Sequence, residues 1–278
     1  MRSPSFLSDL TSPQIMGVLN VTPDSFSDGG RFVSSGKLLL DDALKEAEAM
    51  VAAGASIIDV GGESTRPGAA KVTQEEEMAR VLPVVEALAS RIDAVISVDT
   101  STPALMRAAV DVGAGLLNDV RALSKPGALE VAAGANVPVC LMHMQGQPST
   151  MQAQPHYDDV VAEVRSYLLE RAQAAIAAGV KKENIILDPG FGFGKTDEHN
   201  VKLLQSLPSL CATGYPVLAG LSRKSMIGRL LGREPQDRLA GSLALALIAA
   251  QNGAKIIRVH DVAETHDVLS LLATIQKL

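Results

Sequence analysis

The chain has 278 residues, of which 47% are hydrophobic, 20% charged and 3% aromatic, and it contains no tryptophan. The apolar content excludes an intrinsically disordered chain, and the formal net charge of −6 has the wrong sign for a general nucleic-acid binder. We expect a cytoplasmic globular protein without a disulfide framework or a structural zinc site, because signal-peptide, membrane-span and C-x-x-C patterns are all missing from the sequence.

Short apolar runs alternate with longer helical patterns along the whole chain. Each run is rich in Val, Ile or Leu and is apolar on both faces, which is typical of strands in a parallel sheet that is covered on both sides. The runs are IMGVLN (15–20), SIIDV (56–60), AVISVD (94–99), GLLND (115–119), VPVCLMH (137–143), NIILD (184–188), YPVLAG (215–220) and KIIRVH (255–260).

Helix signals lie between these runs. Residues 38–54 repeat apolar side chains at three- and four-residue steps and end at Gly54, a candidate C-terminal cap. Thr73 and Glu76 form a capping-box pattern, and Thr102 followed by Pro103 predicts a second helix start. Residues 158–178 and 262–276 are also helical by their periodicity.

Eight strand–helix units use nearly the whole chain. This count predicts a single-domain (β/α)₈ TIM barrel over 1–278, with its core over about 13–278, since such barrels take roughly 250 residues. A doubly wound open sheet is the alternative. It is less favoured because it would more often carry a glycine-rich phosphate turn after the first strand, and this sequence has no such turn there.

Two connections are too long to be simple joints. Residues 21–36 and 61–72 are rich in Gly, Ser and Pro, and each follows a strand. Loops beyond about 12 residues are usually lids, binding loops or disordered segments. We interpret both as mobile lids on the C-terminal rim of the barrel, where barrel enzymes place their active sites.

Short acidic and amide side chains end three of the runs. Asp99, Asn118 and Asp188 would project towards one cavity, where two carboxylates repel each other unless a donor lies between them. A heterocycle rich in N–H groups, such as a fused aminopyrimidinone, would supply such donors. The alternative is that each residue caps the following helix, although for Asp99 the better cap at Thr102 weakens that interpretation.

Basic side chains form a second group at the same rim. Arg66, Lys224, Arg258 and His260 indicate a local anion site, most simply for a phosphate or pyrophosphate. Surface salt bridges are the alternative for each of them. Arg258 argues against it, because an arginine inside a strand must point into the barrel mouth or be paired.

Asn20 follows the first strand and suggests a metal. An amide oxygen suits Mg²⁺, which usually keeps several waters and bridges phosphates through one or two protein ligands. The sequence offers no His/Cys cluster for a transition metal. We therefore expect a Mg²⁺ ion that is held largely by its substrate.

The segment PGFGFGKT (189–196) misses the phosphate-binding G-x-x-x-x-G-K-[ST] pattern by one position, because Pro189 stands where the first glycine belongs. It also follows the sixth strand instead of the first. We interpret it as a glycine-rich turn that presents Phe191 and Phe193 to the cavity, with packing of both rings in the core as the alternative.

Seven segments together carry a family likeness. They occur in the family's order, and the first two are long and specific. The chain resembles the dihydropteroate synthase family of pterin-binding enzymes in MGVLNVTPDSFSDGG (16–30), GGESTRPGA (61–69), SVDT (97–100), NDV (118–120), LDPGFGFGK (187–195), GLSRKS (220–225) and RVHDV (258–262).

The resemblance implies an activity and a set of partners. Members are (β/α)₈ barrels, usually homodimers, which condense 6-hydroxymethyl-7,8-dihydropterin diphosphate with 4-aminobenzoate to 7,8-dihydropteroate and pyrophosphate in folate biosynthesis. Their cofactor is Mg²⁺, and sulfonamides compete for the aminobenzoate site. The partners are thus small molecules, with no nucleic acid or membrane.

The resemblance also implies roles for individual residues. The pterin would be bound by Asp99, Asn118, Met142, Asp188, Phe193, Gly220, Lys224 and Arg258. The diphosphate would be bound by Asn20, Arg66, Arg258 and His260, with Asn20 as the metal ligand. The aminobenzoate would be surrounded by Phe26, Thr65, Pro67, Phe191 and Ser222. The catalytic set would be Asp99, Lys224, Arg66, Arg258 and His260.

No residue stands out as a covalent nucleophile. Cys140 lies in the middle of an apolar run and Ser222 lacks an evident base partner. We therefore expect dissociative departure of pyrophosphate, with Asp99 opposing the charge on the resulting pterin cation. The helix over 239–253 is apolar nearly all round, which favours a homodimer interface.

Three alternatives stay open from the sequence. A pterin-binding methyltransferase domain would share the heterocycle residues but would not need the basic rim. A non-catalytic paralogue would bind a pterin without turnover. A barrel isomerase or aldolase with a phosphate site would need a Schiff-base lysine inside a strand, or a paired acid and base, and neither is evident.

Overall fold

A computed structural model of the chain describes residues 7, 10–22, 36–63, 72–147 and 150–277. Strands and helices alternate along it, as the sequence predicts. The elements are β1 Gln14–Asn20, α1 Gly36–Ala52, β2 Ile57–Gly61, α2 Gln74–Ala89, β3 Val95–Asp99, α3 Pro103–Asp111, β4 Leu116–Asp119, α4 Ala128–Ala135, β5 Val139–Met142, α5 Val160–Ala177, β6 Ile185–Asp188, α6 Asp197–Gln205, α7 Leu207–Cys211, β7 Leu218–Ala219, α8 Ser225–Leu231, α9 Leu239–Gln251, β8 Ile256–Val259 and α10 Val262–Ile275.

The eight strands form one parallel barrel. Their order is β6-β5-β4-β3-β2-β1-β8-β7, so every strand pairs with its neighbours in sequence and β1 pairs with β8. A parallel bridge between Leu187 and Val217 joins β6 to the start of β7 and closes the ring. The prediction of a (β/α)₈ barrel is confirmed. The doubly wound alternative is excluded, because an open sheet would not join its first strand to its last.

Alternation along each strand produces two apolar layers. Outward side chains such as Ile58, Val98 and Leu187 pack against the helices in the main core. A second, separate cluster takes one residue from each strand and fills the barrel interior. Its members are Met16, Ile57, Val95, Leu116, Cys140, Ile186, Leu218 and Ile256, and Leu7 packs against it.

A polar layer lies directly above this interior cluster. Because side chains alternate with a period of two, the residue two positions further along each strand also points into the barrel. Five of these residues are polar, namely Asp59, Ser97, Asn118, Asp188 and Arg258, and the other three are Val18, Met142 and Gly220. Each buried aliphatic side chain below them contributes roughly 1.5–3 kcal/mol, so the apolar layers can offset the cost of burying charge at this level.

The predicted helix caps are found at the predicted places. Thr73 and Glu76 form the capping box of α2, and Gly54 follows α1 with a φ of 107°. Thr102 is the N-cap residue of α3, and Pro103 is its first residue, but the Thr102 hydroxyl does not cap the helix. It donates instead to Glu77 Oε2 at 2.8 Å.

Within the described residues, the helices are too short or too polar to cross a bilayer. The connections predicted as lids, 21–36 and 61–72, fall mostly at positions 23–35 and 64–71, which lie outside the described residues.

Candidate active site

Asp59 occupies the centre of the polar layer. Its side chain is fully buried. One carboxylate oxygen accepts from Arg258 Nε at 2.7 Å and from Asn118 Nδ2 at 3.1 Å, and the other accepts from Ser97 Oγ at 2.5 Å. Asp59 therefore receives donors from three other strands, and it fixes the orientation of Asn118 and Arg258 together.

Arg258 connects this centre to the rim. While its Nε binds Asp59, its Nη2 donates to Asp99 Oδ2 at 3.0 Å. The Arg258 side chain keeps 23% exposure and that of Asp99 keeps 17%, so both face the barrel mouth. Arg258 does point into the mouth, as its place inside a strand predicts. Burial alone would lower its pKa, but the neighbouring carboxylates, Asp59 first, together outweigh burial and raise it.

Two buried carboxyl groups in this region hold protons more strongly than usual. Burial, and then the charge of Asp59, raise the pKa of Asp99 to about 7, although Arg258 opposes the change. Burial also raises the pKa of Asp188, although the Gly190 N–H donates to its Oδ1 at 2.7 Å. A ligand that donates hydrogen bonds to these carboxylates would stabilise their charged forms.

Lys224 is a basic residue of the same cavity. Its ammonium stands 4.3 Å from the centre of the Phe193 ring, an attractive cation–π geometry. Burial and the charge of Arg258 lower the pKa of Lys224 to about 8, so it remains mostly charged near neutral pH. Gly192 leaves room for the Lys224 side chain, because a Cβ on Gly192 would lie 3.2 Å from Lys224 Cδ.

Ser222 and His260 form a pair that the sequence does not reveal. His260 Nδ1 lies 3.1 Å from Ser222 Oγ, so Ser222 has a histidine neighbour that was not evident from the sequence. The His260 backbone N–H also donates to that oxygen at 3.2 Å. The nearby Asp261 carboxylate binds Arg223 instead of orienting the imidazole. The pair therefore lacks the third group of a catalytic triad.

The charge state of His260 differs from the expected cation. Burial, followed by the charges of Arg258 and Arg223, lowers the pKa of His260 to about 4. The imidazole is therefore neutral near pH 7 and can serve as a hydrogen-bonding group at the rim.

Asn20 ends β1 next to the rim. Strand register places Gly61 between Asn20 and Asp99. A Cβ built on Gly61 would lie 3.7 Å from both Asn20 Oδ1 and Asp99 Cβ. The missing side chain leaves an opening between an amide oxygen and a carboxylate, which is suited to a hard cation or a bound ligand.

The glycine-rich turn after β6 separates its two phenylalanines. Phe191 is 1% exposed and packs in the main core, which favours the alternative of core packing over a place beside the aminobenzoate. Phe193 is half-buried and lies under Lys224, as a pocket residue should. The residue between the two rings is Gly192, with a φ of 80°, so the backbone changes direction between them.

The remaining predicted residues fall into two sets. Met142 is buried at the inner end of the pocket, where its Cγ would lie 3.3 Å from a Cβ on Gly190, and Gly220 leaves space beside the Arg258 stem. Four residues lie outside the described residues, namely Phe26, Thr65, Arg66 and Pro67.

Asp59 is a site residue that the sequence could have indicated. A charged residue inside an apolar strand predicts an inward, paired position, and Asp59 meets this condition as well as Arg258 does. Glu77 carried no such signal, since it lies on a helix. It is buried and accepts from Thr100 Oγ1 at 2.6 Å, and so fixes the loop that follows Asp99.

Known proteins share this architecture over nearly their whole length. The family model described as "Pterin binding enzyme" matches residues 16–260. A dihydropteroate synthase of Haemophilus influenzae is 57% identical over 263 residues, which cover 95% of this chain and 94% of the relative.

Solved structures agree with this match. The dihydropteroate synthase of Yersinia pestis with a sulfonamide drug superposes with a TM-score of 0.91 at 52% identity, covering 97% of this chain and 96% of that one. The Xanthomonas albilineans dihydropteroate synthase in complex with 7,8-dihydropteroate gives 0.87 at 50% identity, covering 97% and 95%.

Proposed function

The chain belongs to the family of pterin binding enzymes, and on this premise we propose that it acts as a dihydropteroate synthase in folate biosynthesis. It joins 6-hydroxymethyl-7,8-dihydropterin diphosphate to 4-aminobenzoate, giving 7,8-dihydropteroate and pyrophosphate. The observation that carries the proposal is the fork of Arg258. It binds Asp59, in the polar layer that also holds Asn118 and Asp188, and it binds Asp99 at the rim above that layer.

The polar layer and the rim above it together complement a pterin. A pterin ring carries several N–H donors and also ring nitrogen and carbonyl acceptors. Asp99 and Asp188 supply acceptors, while Asn118 and Lys224 supply donors. The rings of a heterocycle would lie against Phe193 and Met142, and the missing side chain of Gly220 would leave space beside Arg258.

The diphosphate is proposed to lie across the rim. Arg258 and His260 would contact it from β8 and the loop that follows, together with Arg66 and Asn20. Arginine suits this task because its planar guanidinium can bind two phosphate oxygens at once. Since the His260 ring is neutral, it would contribute a hydrogen bond to the anion.

Magnesium fits this rim through Asn20. Among the described residues there is no group of three His, Cys, Asp or Glu side chains that could hold a metal. An ion here would therefore take most of its ligands from diphosphate oxygens and water, and one from the Asn20 amide. When bound, Mg²⁺ would supply electrostatic stabilisation of the leaving pyrophosphate.

The proposed reaction is dissociative. The bond between the pterin methylene carbon and the diphosphate oxygen breaks, and both electrons leave with pyrophosphate. Arg258 stabilises the growing negative charge, and the Asp99 carboxylate opposes the positive charge left on the pterin. The amine of 4-aminobenzoate then forms the new C–N bond and releases one proton.

A covalent enzyme intermediate is disfavoured by the environment of both candidate nucleophiles. Cys140 is fully buried in the interior cluster, and burial raises its pKa well above the usual value. Ser222 has His260 as a neighbour, but the low basicity of that imidazole makes it a poor general base.

For the aminobenzoate site, we propose Ser222 with Phe26, Thr65 and Pro67, and we leave Phe191 out because it packs in the core.

A direct assay tests the proposal. The protein is incubated with the pterin diphosphate, 4-aminobenzoate and Mg²⁺, and dihydropteroate is measured. We expect product with all components, and slow pyrophosphate release when aminobenzoate is omitted, because departure precedes attack. Pterin binding without any product would contradict the enzyme and favour the non-catalytic paralogue.

The pH profile gives a further prediction. We expect kcat/KM to fall below about pH 7, as Asp99 takes up a proton, and to fall again above about pH 8, as Lys224 loses its charge. The acidic limb should disappear in the residual activity of Asp99→Asn, and it should persist in Asp111→Asn, which changes an exposed carboxylate on α3. An acidic limb that survives Asp99→Asn would refute its assignment to Asp99.

A homodimer is proposed from the exposed apolar side chains on α8, α9 and α10. α9 buries Ala246 and Ala249 towards the barrel, as one face of a helix, and leaves other apolar side chains outside. The exposed large residues are Leu230, Leu231, Leu239, Ile248, Leu271 and Ile275. Exposed apolar patches of this kind mark interaction surfaces.

Light scattering tests the dimer. At micromolar concentration we expect twice the chain mass of 29.1 kDa. Leu271→Glu combined with Ile275→Glu should give the monomer mass, because two charges would be buried without partners. As a control, Gln173→Glu introduces a glutamate at an exposed site on α5 and should leave the mass unchanged. A monomeric wild type would refute the interface. We also propose that the chain forms one domain and works in the cytoplasm.

A further inference from the structure

Lys195 is the least exposed lysine of the described residues, with 1% of its surface accessible. Its ammonium contacts the carbonyl oxygens of Gly190 at 2.9 Å and Phe193 at 3.0 Å, and it lies 2.9 Å from His143 Nδ1. The ion pairs of the described residues do not include it. Burial lowers the pKa of Lys195 to about 7, and a lysine buried without a carboxylate contact is costly, so its position calls for a reason.

The turn around Lys195 has the opposite polarity to a phosphate-binding loop. Gly190, Gly192 and Gly194 all have positive φ, at 67°, 80° and 64°. In a phosphate loop, backbone N–H groups converge on an anion. Here carbonyl oxygens converge on a hydrogen-bond donor, the amino group of the lysine of the same motif. The near match to G-x-x-x-x-G-K-[ST] is therefore a turn whose carbonyl groups bind its own lysine side chain.

The turn is also held tightly from outside. A Cβ on Gly190 would come within 1.9 Å of the His143 carbonyl oxygen, and one on Gly194 within 2.4 Å of that of Gln145. The two glycines therefore allow the turn to pack directly on the loop that follows β5. Lys195 ties the same two segments together, because its Nζ also lies 3.4 Å from the His143 carbonyl oxygen.

Two groups of the pterin pocket depend on this turn. The Gly190 N–H fixes the Asp188 carboxylate at 2.7 Å, and Phe193 lies under the Lys224 ammonium at 4.3 Å. The carbonyl groups that Lys195 binds belong to these same two residues, Gly190 and Phe193. A shift of the turn would move the carboxylate and the ring at once.

We propose that Lys195 is a positioning residue for the pterin pocket, and that its buried amino group holds the glycine turn so that Asp188 and Phe193 face the pterin. Lys195 does not itself contact the substrate. The inference rests on the proposed function, and it predicts a loss confined to pterin recognition. A merely structural lysine would affect both substrates, or neither.

Lys195→Met and Lys195→Gln test the proposal against Lys202→Met, an exposed lysine on α6. Methionine matches the length without charge, and a buried charge can often be replaced in this way without loss of folding. Calorimetry measures binding of 6-hydroxymethylpterin, and steady-state kinetics give KM for each substrate.

We expect Lys195→Met to weaken pterin binding and to raise KM for the pterin diphosphate about 10- to 100-fold, since small displacements of positioning groups have effects of this order. KM for 4-aminobenzoate should change less than about threefold. Lys195→Gln keeps two N–H donors, so its pterin affinity should lie between those of the wild type and Lys195→Met. Lys202→Met should match the wild type.

Several outcomes would overturn the inference. These are unchanged pterin affinity in folded Lys195→Met, equal losses for both substrates, or failure of both Lys195 variants to fold, because the proposed effect is local to the turn. A wild type that binds pterin but makes no dihydropteroate would instead contradict the proposed function. The calorimetric comparison would then still decide the role of Lys195.

Discussion

Replacing Arg258 with methionine is expected to lower kcat/KM about a thousandfold, which makes it one of the two most damaging changes that we predict. The guanidinium is proposed to stabilise the departing pyrophosphate, and removing one such group typically costs 10²–10³ in rate. It also neutralises Asp59 and Asp99 at 2.7 and 3.0 Å. Stopped-flow or steady-state measurement of pyrophosphate release would give the kinetic loss.

The same variant should lose stability in a pH-dependent way. Removing one partner of a buried ion pair costs about 3–5 kcal/mol. Without Arg258 the pKa of Asp99 would rise further, because Arg258 is the group that opposes its upward shift. The folded state would then bind more protons than the unfolded chain, so the free energy of unfolding should fall as the pH rises from 5 to 8.

Two comparisons make the Arg258 prediction specific. Arg165→Met changes an exposed arginine on α5 and should leave both rate and stability close to wild type. Arg258→Lys keeps the charge but cannot bind both Asp59 and Asp99 through a planar fork, so it should recover only part of the activity. Full activity in Arg258→Met would contradict the proposed electrostatic role.

Replacing Asp99 with asparagine is expected to lower kcat about 100- to 1,000-fold while changing pterin affinity much less. An amide can still accept a hydrogen bond from the ring, but it cannot oppose a positive charge on the pterin. The expected signature is therefore a fall in kcat with a small change in the KM for the pterin diphosphate. Equal losses in turnover and in pterin binding would contradict the cation-stabilising role.

In contrast to Arg258→Met, Asp99→Asn should increase the stability of the folded protein at high pH. The pKa of Asp99 in the folded protein is raised to about 7 from 3.8, so its contribution to stability is present at low pH and is lost as the pH rises through about 7. Asparagine removes the cost of the buried charge. We expect the melting temperature at pH 8 to rise, and Asp111→Asn, on the exposed face of α3, to leave it unchanged.

The strand ends were largely predictable. Because β-strand side chains alternate, a polar residue that terminates an apolar run in a parallel barrel must lie on the C-terminal rim or point into the mouth. This reasoning placed Asp99, Asn118, Asp188 and Arg258 in one region, and the hydrogen bonds of Arg258 bring the first and last of them into contact. The capping box at Thr73 was equally local, and it is found as predicted.

The features that the sequence could not predict share a physical cause. Phe191 and Phe193 differ by only two positions, and the choice of which ring enters the core depends on the positive φ of the glycines between and around them. Ser222 and His260 are 38 residues apart, so no local pattern could show that they touch. Thr102 occupies the position of a capping residue, but its hydroxyl donates a hydrogen bond to the buried Glu77 of another helix instead.

The sequence by itself determined the order of strands and helices, the closed barrel and the chemical character of its rim, because these follow from hydrophobic periodicity and short-range capping. Only the tertiary structure decided which charges pair. Asp59 and Arg258 are separated by 199 residues, and their 2.7 Å contact exists because β1 joins β2 to β8 in the closed ring. The folding of a glycine turn around the ammonium of Lys195 likewise depends on a neighbouring loop, and such packing is not written in local sequence.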